Sequence, residues 1–410
     1  MLGLFNSASW TPVVLVWSYL LLLPFSRSSE LPMFIMAILG GMLIWKHGKQ
    51  AVWQGGAKTF SLLFLCIWVP IALSVPDSLW FKKSLSTMLS YPRIYFAGIY
   101  LIWILREDLA RERLLKLSAW LLLFWVVDAL IQAAVGYDLL GYAYPERLNG
   151  LFGPKNWKLG LTLAMLSPIV WEYVSRHGAK WQLALAYFAT AAVVMLASNR
   201  QSWVVFALAT LLWGWTYARR HGLRPVRMLM PIALAAVIAG GTAYQLNPKF
   251  AVQIDKSLLA ENSTYEGLNN ASSGRLQIWA NAIRAFLDHP VNGVGVRAYR
   301  NAYPLYAPEN DIFVNEGGTG AAYAHQVVLE VGSESGTIGL VGLCGFYVLL
   351  FAAARRTCIS AAHHAWPFMV GILAWWFPLN AHTAIYSAYW SLLLGWALAV
   401  SLSVTDKTND

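Results

Sequence analysis

The sequence predicts an all-α polytopic membrane protein, and its charge content, its hydropathy and its aromatic residues all indicate that class. The chain has 410 residues, of which 58% are hydrophobic and 12% are charged, and its mean hydropathy is +0.50. A soluble domain carries about 25% charged residues, so this chain lacks the polar material to cover a surface in water. Its 21 Trp and 19 Tyr fit the same class, because both side chains favour the interface between lipid and water.

Twelve apolar runs predict membrane helices, since a spanning helix needs about 20 mostly apolar residues. Several runs are short or close together, so ten or eleven spans remain an alternative, but we expect about 12 transmembrane helices in a single integral membrane domain covering residues 1–410. The runs are 9–25, 31–46, 59–75, 91–105, 114–136, 157–175, 181–198, 201–218, 226–244, 335–354, 365–381 and 384–402.

The distribution of Lys and Arg predicts the orientation. With residues 245–334 left out, one side of the predicted bundle holds 16 Lys and Arg and the other holds 8. Short cytoplasmic loops collect positive charge, whereas long loops cross the membrane largely regardless of charge. The bias places both termini in the cytoplasm. If one span had been misplaced, every later loop would change sides and the difference between the two counts would shrink.

Residues 245–334, between the ninth and tenth predicted spans, form the one outer loop long enough for folded structure. Within this loop the stretch "SSGRLQIWANAIRAFLDHP" predicts an amphipathic helix. Ser272 or Ser273 is expected to cap it, apolar residues follow at helical spacing, and Pro290 ends it.

Arginines on the outer side are the unusual feature of the sequence, because positive charge is normally depleted there. The planar guanidinium group matches a phosphate bidentately and keeps its charge at any pH. In the tight turn "SNRQSW" we favour a phosphate-binding role for Arg200 over a structural ion pair. For Arg147 and Arg275 both interpretations stay open, and Arg297 and Arg300 are interpreted as solvated loop charges.

His325 precedes the tenth predicted span and follows a loop rich in tyrosine. A neutral imidazole can accept a proton near pH 7 without help from a metal. A lone histidine is more often structural, but the position of His325 beside the outer arginines favours a general base. The outer acidic residues show no close set of metal ligands, so we expect no metal site and no cofactor. We also expect membrane lipids and no nucleic acid as partners, since no solvated basic domain is evident.

Several of these residues match known motifs. His325-Gln326, nine residues, Gly336, two residues and Gly339 follow the pattern His-[Asn/Ser/Gln]-x9-Gly-x-x-[Gly/Thr/Tyr], and Arg147 with Leu151 follows Arg-x3-Leu. In these motifs and in its large outer loop the chain resembles the bacterial lipopolysaccharide O-antigen ligases. The stretches "GRLQIW" and "HPVNGVGVRAY" are similar to the wider superfamily of O-antigen ligases, O-antigen polymerases and protein O-oligosaccharyltransferases.

The resemblance implies a GT-C-type glycosyltransferase in the inner membrane of a Gram-negative bacterium, with a periplasmic active site. It would move an O-antigen glycan from undecaprenyl diphosphate to a sugar hydroxyl of lipid A-core, without metal or cofactor. His325 would be the general base, and Glu334, which matches a family acid, would either orient His325 or cap the tenth helix. The diphosphate would be held by Arg147, Arg200 and Arg275, with support from Lys155, Arg284 and Arg297.

Three other functions remain as alternatives. An O-antigen polymerase uses the same donor, but polymerases tend to carry two large outer loops. A protein O-oligosaccharyltransferase differs only in its acceptor. A transporter of lipid-linked glycans is disfavoured, because the sequence shows no repeated halves of the kind that transporters carry.

Overall fold

A computed structural model of the chain describes residues 2–25, 27–143, 147–154, 156–197, 199–224, 264–309, 311–315, 320–359, 364–379, 381 and 383–404, with isolated positions between 226 and 255. In these ranges the regular structure is helical, and the β-type pairing consists of two isolated bridges, Tyr137 with Ala143 and Gln326 with Ala381.

The helices fall into three groups along the chain. The first part of the chain forms α1 (Trp10–Leu21), α2 (Glu30–His47), α3 (Lys49–Val52), α4 (Gly55–Leu73), α5 (Phe81–Ser90), α6 (Pro92–Ile104), α7 (Asp108–Val135), α8 (Leu159–His177), α9 (Lys180–Leu196) and α10 (Arg200–Arg220). The outer loop contributes α11 (Tyr265–Ala271), α12 (Arg275–Asp288), α13 (Tyr299–Tyr306) and α14 (Ile312–Asn315). The chain ends with α15 (Val327–Ile359), α16 (Trp366–Trp375) and α17 (Ala388–Ser401).

The long helices pack into one bundle, and glycines allow the closest approaches between them. A Cβ atom added at Gly40 of α2 would collide with the carbonyl of Phe96 on α6, and one added at Gly342 of α15 would collide with the carbonyl of Cys66 on α4. Small residues at helix contacts are typical of membrane proteins, where close backbone packing replaces the hydrophobic effect as the force between helices.

Arginine side chains connect helix termini at one end of the bundle. Arg111, in α7, donates to the carbonyls of Leu105 at the end of α6 and of Ser403 beyond α17, at 2.5 and 3.0 Å. Glu172, near the end of α8, accepts two hydrogen bonds from Arg220 at the end of α10, at 2.6 and 2.8 Å. These termini belong to the side that carries most of the Lys and Arg in the sequence count. The outer loop joins the opposite end.

Eleven of the twelve predicted runs coincide with helices, and the run 226–244 lies mostly outside the described residues. Three of the described helices are long and apolar enough to cross a membrane: Gly55–Leu73, Asp108–Val135 and Val327–Cys358. The chain is therefore a helical membrane protein, while the count of twelve crossings and the GT-C architecture stay predictions. One boundary was wrong, since α15 begins at Val327 and not at 335.

Helix α15 is broken at Gly336, which has a φ of 62° and a ψ of −157°. A side chain there would be strained by the positive φ and would collide with the carbonyl of Val291. The break releases two amides from the helix, and both find partners outside it. The amide of Thr337 donates to Pro290 O at 2.8 Å, and that of Ile338 donates to Val291 O at 3.2 Å.

The carbonyls on the other side of the break also bond to the outer loop. Ser333 O accepts from the amide of Val294 at 2.8 Å, and Glu334 O accepts from that of Gly295 at 3.1 Å. In an unbroken helix these carbonyls would have accepted from residues 337 and 338. Residues 290–295, which we call the crossing segment, therefore satisfy these two amides and two carbonyls at the break.

The described part of the outer loop has a small core of its own. Asp311 is buried there and accepts hydrogen bonds from Tyr303 Oη at 2.9 Å and Asn281 Nδ2 at 3.2 Å. Because the buried carboxylate is bonded from two helices, it fixes α12 against α13. The buried apolar residues of this core are Ile278, Ala282, Tyr299, Tyr303, Ala321 and Ala324.

Candidate active site

Arg200 connects the helical bundle to the outer loop. It is the first residue of α10, and Asn199 caps that helix by accepting from the amide of Gln201 at 3.1 Å. The guanidinium group donates to Ala271 O at 2.6 Å and to Ser273 Oγ at 2.8 Å. Two of its donors thus fix the turn between α11 and α12, so Arg200 holds the start of α12 against the membrane end of the bundle.

Arg275 begins α12 beside that turn. The preceding Gly274 has a φ of 78°, and a Cβ atom there would lie 2.8 Å from the ring of Phe313, so glycine is required at this position. Burial lowers the pKa of Arg275, and the nearby charge of Arg200 lowers it further. The two guanidinium groups therefore lie close enough to repel each other, and an anion between them would relieve that repulsion.

The predicted serine cap of the loop helix was wrong. Gly274 occupies the N-cap position and offers no side chain, while Ser273 Oγ accepts from Arg200 instead. The first-turn amide of Gln277 donates instead to Asn269 Oδ1 at 3.4 Å.

His325 lies next to Tyr323. The centroids of the two rings are 4.0 Å apart and the ring planes are tilted by 40°. His325 has a φ of 56°, which is uncommon for a residue with a side chain. The following Gln326 caps α15, because its Oε1 accepts from the amide of Leu329 at 2.8 Å while its Nε2 donates to Pro378 O at 2.8 Å. The motif His-Gln therefore fixes where α15 begins and where the imidazole is presented.

Tyr323 stands between the charged residues of the site. Its pKa is raised to about 12, by burial first and then by the charge of Glu330, while Arg275 and Arg297 both oppose the rise. The phenol is therefore neutral at physiological pH and can donate a hydrogen bond. Arg275, Arg297 and His325 thus surround one tyrosine that the sequence did not single out for a role.

Strained backbone concentrates at this site. Among the described residues, the non-glycine residues with positive φ are Ser273 at 59°, Arg297 at 65° and His325 at 56°. Each such conformation costs about 1–3 kcal/mol and persists only where the surroundings enforce it. All three residues belong to the cluster around Arg200, Tyr323 and Glu334, as expected if the fold is arranged to present these side chains.

Arg147 lies near the same end of the bundle. Its guanidinium carbon lies 4.5 Å from the ring centroid of Trp157, and the amide of the next residue, Leu148, donates to Leu196 O at the end of α9 at 3.5 Å. That contact places Arg147 close to the turn that carries Arg200. Lys155, predicted to support the same site, lies outside the described residues.

Two buried side chains of α7 position the segment that follows Arg147. Asp128 accepts from the amides of Leu139 and Leu151, both at 2.9 Å. Gln132 Oε1 accepts from the amides of Asn149 and Gly150 at 3.1 and 2.8 Å. The segment has little regular structure, so these bonds determine where Arg147 is held.

Glu334 supports the backbone of the outer loop. Its carboxylate accepts from the amide of Arg297 at 2.8 Å and from that of Tyr299 at 3.4 Å. Since α15 begins at Val327, Glu334 does not lie in the first turn and the predicted capping role was wrong. Its effect on His325 stays a prediction, and what the carboxylate holds directly is the strained backbone of Arg297.

Arg284 lies apart from the other predicted residues. It follows Arg275 by nine positions in α12, which is two and a half helical turns, so the two side chains leave opposite faces. The exposed Arg284 donates to Asn281 Oδ1 and to Tyr306 O, both at 3.0 Å. The structure therefore does not bring it to the site, and its contacts fasten α12 to α13.

The comparison with protein families identifies part of the chain. Residues 185–344 match the family model described as O-antigen ligase. The chain carries a domain of the O-antigen ligase family. Among curated proteins, none matches the chain.

The O-antigen ligase segment includes α10, the described part of the outer loop and the first half of α15. It therefore contains Arg200, Arg275 and His325, together with the break at Gly336. Arg147 and Lys155 precede it. This match confirms the resemblance over residues 185–344 and supports a ligase- or polymerase-type activity, carried by an integral membrane protein.

Proposed function

We propose that the protein is an O-antigen ligase, which transfers O-antigen from undecaprenyl diphosphate to a sugar hydroxyl of lipid A-core at the periplasmic face of the inner membrane. The observation that carries the proposal is the grouping of Arg200, Arg275 and Tyr323 beside His325, inside the segment that matches the family. The arginines suit a diphosphate, and the histidine suits the removal of a proton from a hydroxyl.

The arginines would act on the leaving group. Arg200 and Arg275 would bind the diphosphate, with Arg147 beside them, and the charge on its bridging oxygen grows as the bond to the anomeric carbon breaks. Positive groups held in place before the reaction stabilise that charge without reorganising, which is often the largest catalytic effect. The mutual repulsion of Arg200 and Arg275 supports this role, because an anion between them removes it.

His325 would act on the acceptor. Its imidazole takes the proton of the attacking hydroxyl as that oxygen bonds to the anomeric carbon from the side opposite the diphosphate. The electron pair of the broken bond leaves with the diphosphate, so the anomeric configuration inverts. Tyr323 packs on the imidazole and keeps it at this position.

The proposal is tested by His325→Ala in the purified full-length protein. Transfer from lipid-linked O-antigen to lipid A-core should fall by at least about a hundredfold, since general base catalysis contributes roughly 10²–10⁴-fold, while donor binding stays within about twofold. The matched control is His289→Ala, because His289 lies in the same loop and its Nε2 is 3.4 Å from Asp288. Transfer retained by His325→Ala would remove His325 as the base.

A gene deletion separates ligase from polymerase. In a smooth Gram-negative host, loss of a ligase should abolish long-chain lipopolysaccharide while polymerised lipid-linked O-antigen accumulates. If single repeats remain attached to the core instead, the protein is a polymerase and the proposed acceptor is wrong.

A further inference from the structure

A second group of cations surrounds a cavity next to the candidate active site. The cavity has a volume of about 380 Å³, and its walls include Trp80, Lys83, Arg297, Arg300, Tyr323 and Trp390. Among the described residues that line it, three side chains are positively charged and none is a carboxylate. In the described part of the chain neither Lys83 nor Arg300 forms an ion pair. The charges of the cavity therefore suit an anionic ligand.

Separate elements of the fold bring these cations together. Lys83 belongs to α5, and Arg297 and Arg300 flank the start of α13. The buried hydroxyl of Ser84 joins these elements by donating to Val296 O at 2.6 Å. Glu334 holds the amide of Arg297 from behind, so its carboxylate supports that wall without entering the cavity.

The remaining walls suit a sugar with an attached lipid. Ser387 supplies a hydroxyl group, and Thr383 Oγ1 is a buried atom without a hydrogen-bond partner in the described chain. The same segment also borders an apolar cleft between α4, α6 and α17, where Ile385 and Ser391 line the wall. The cations of the cavity thus lie near apolar wall residues, as suits the polar head of an amphipathic ligand.

Tyr323 connects this cavity to the base. It forms part of the cavity wall, and its ring lies 4.0 Å from that of His325. If the donor diphosphate occupies Arg200 and Arg275, as the proposed function requires, a second cation group beside the same histidine calls for a second phosphorylated substrate. The donor carries one diphosphate, which would already be bound at Arg200 and Arg275, so it offers no phosphate to the second cation group.

We propose that the cavity lined by Lys83, Arg297 and Arg300 binds a phosphate group on the sugar head of the acceptor glycolipid, so that the protein selects phosphorylated acceptors. This inference rests on the proposed function for its assignment to the acceptor. The phosphate fixes the glycolipid at the cavity, and its free sugar hydroxyl then reaches His325 past Tyr323.

The test is direct binding to the full-length protein in nanodiscs of zwitterionic lipid. The probes are bisphosphorylated lipid A, the same lipid without phosphates, and inorganic phosphate. We expect the phosphorylated lipid to bind at least about tenfold more tightly than the dephosphorylated one, as for the loss of a charge-assisted hydrogen bond. Inorganic phosphate at millimolar concentration should compete only weakly.

Lys83→Ala and Arg300→Ala should each remove most of this preference and leave the affinity for the lipid-linked donor within about twofold. Lys82→Ala is the matched control, because Lys82 is the exposed neighbour of Lys83 in α5 and does not line the cavity. Equal binding of the two lipids, weakened donor binding in the variants, or a site filled by inorganic phosphate alone would each overturn the inference.

Binding is measured without transfer, so the two proposals can fail separately. A protein that prefers the phosphorylated lipid through Lys83 and Arg300 but transfers no glycan refutes the ligase and keeps the site. A protein that transfers glycan equally well to lipid A-core with and without its phosphates keeps the ligase and refutes the site.

Discussion

The ring of Tyr323 packs against that of His325 with 4.0 Å between their centroids. The phenol ring therefore supports an imidazole whose own residue has a strained backbone. In Tyr323→Phe the ring remains, so we expect transfer to stay within about threefold of the wild type. In Tyr323→Ala the brace is lost, and kcat should fall at least about tenfold with little change in donor affinity. A large loss in Tyr323→Phe would instead assign a direct role to the hydroxyl group.

Arg275 should not tolerate replacement by lysine. The ammonium group keeps the charge but loses the planar pair of donors that matches a phosphate bidentately. We expect Arg275→Lys to lower kcat/KM for transfer at least about tenfold. Arg284→Lys provides the comparison in the same helix, because Arg284 leaves the opposite face of α12 and should retain wild-type transfer. Equal activity of the two variants would count against diphosphate binding at Arg275.

Gly336 should be the least replaceable glycine of α15. An alanine there meets both a positive φ and the carbonyl of Val291, so Gly336→Ala should cost about 2–4 kcal/mol of stability. In Gly332→Ala the new methyl has its nearest neighbour 3.7 Å away, and stability should be unchanged or slightly higher. Thermal unfolding in detergent compares the two variants, and a stable Gly336→Ala would show that the break is not required.

Asp128 should act on the donor through the segment of Arg147. Removing its carboxylate in Asp128→Ala leaves the amides of Leu139 and Leu151 without their acceptor, at about 1–3 kcal/mol for the buried Leu151 amide. We expect Asp128→Ala to raise the KM for the donor about tenfold, and we expect the same of Arg147→Ala. The double variant Asp128→Ala with Arg147→Ala should show no further rise. Asp128→Asn keeps one acceptor and should be intermediate. Additive effects in the double variant would mean that the two residues act independently.

The apolar runs predicted the positions of the long helices well, because hydrophobic length is the property that a membrane selects. The same reasoning did not predict the start of α15. Glu330, Ser333 and Glu334 make residues 327–335 look like a polar loop, yet all three are buried and bonded within the fold. Hydropathy treats a polar side chain as solvated, and it cannot register partners that come from distant parts of the chain.

Two parts of the site could not be predicted from the sequence, because they also depend on contacts between distant parts of the chain. Tyr323 belongs to no motif that we recognised in the sequence. Its importance comes from its ring contact with His325 and from the nearby charges of two arginines. Lys83 and Arg300 are far apart in the chain and meet only because α5 docks on the start of α13. By contrast, the sequence singled out Arg200, Arg275 and His325, because outward-facing charge near a membrane needs an explanation, and their roles stay predictions.

The crossing segment ties the outer loop to the helix that follows it through four backbone hydrogen bonds. Neither partner can be exchanged alone without leaving these amides and carbonyls unpaired. A chimera built to change acceptor choice would therefore have to transplant the loop together with the opening turns of α15, as one cassette ending beyond Ile338.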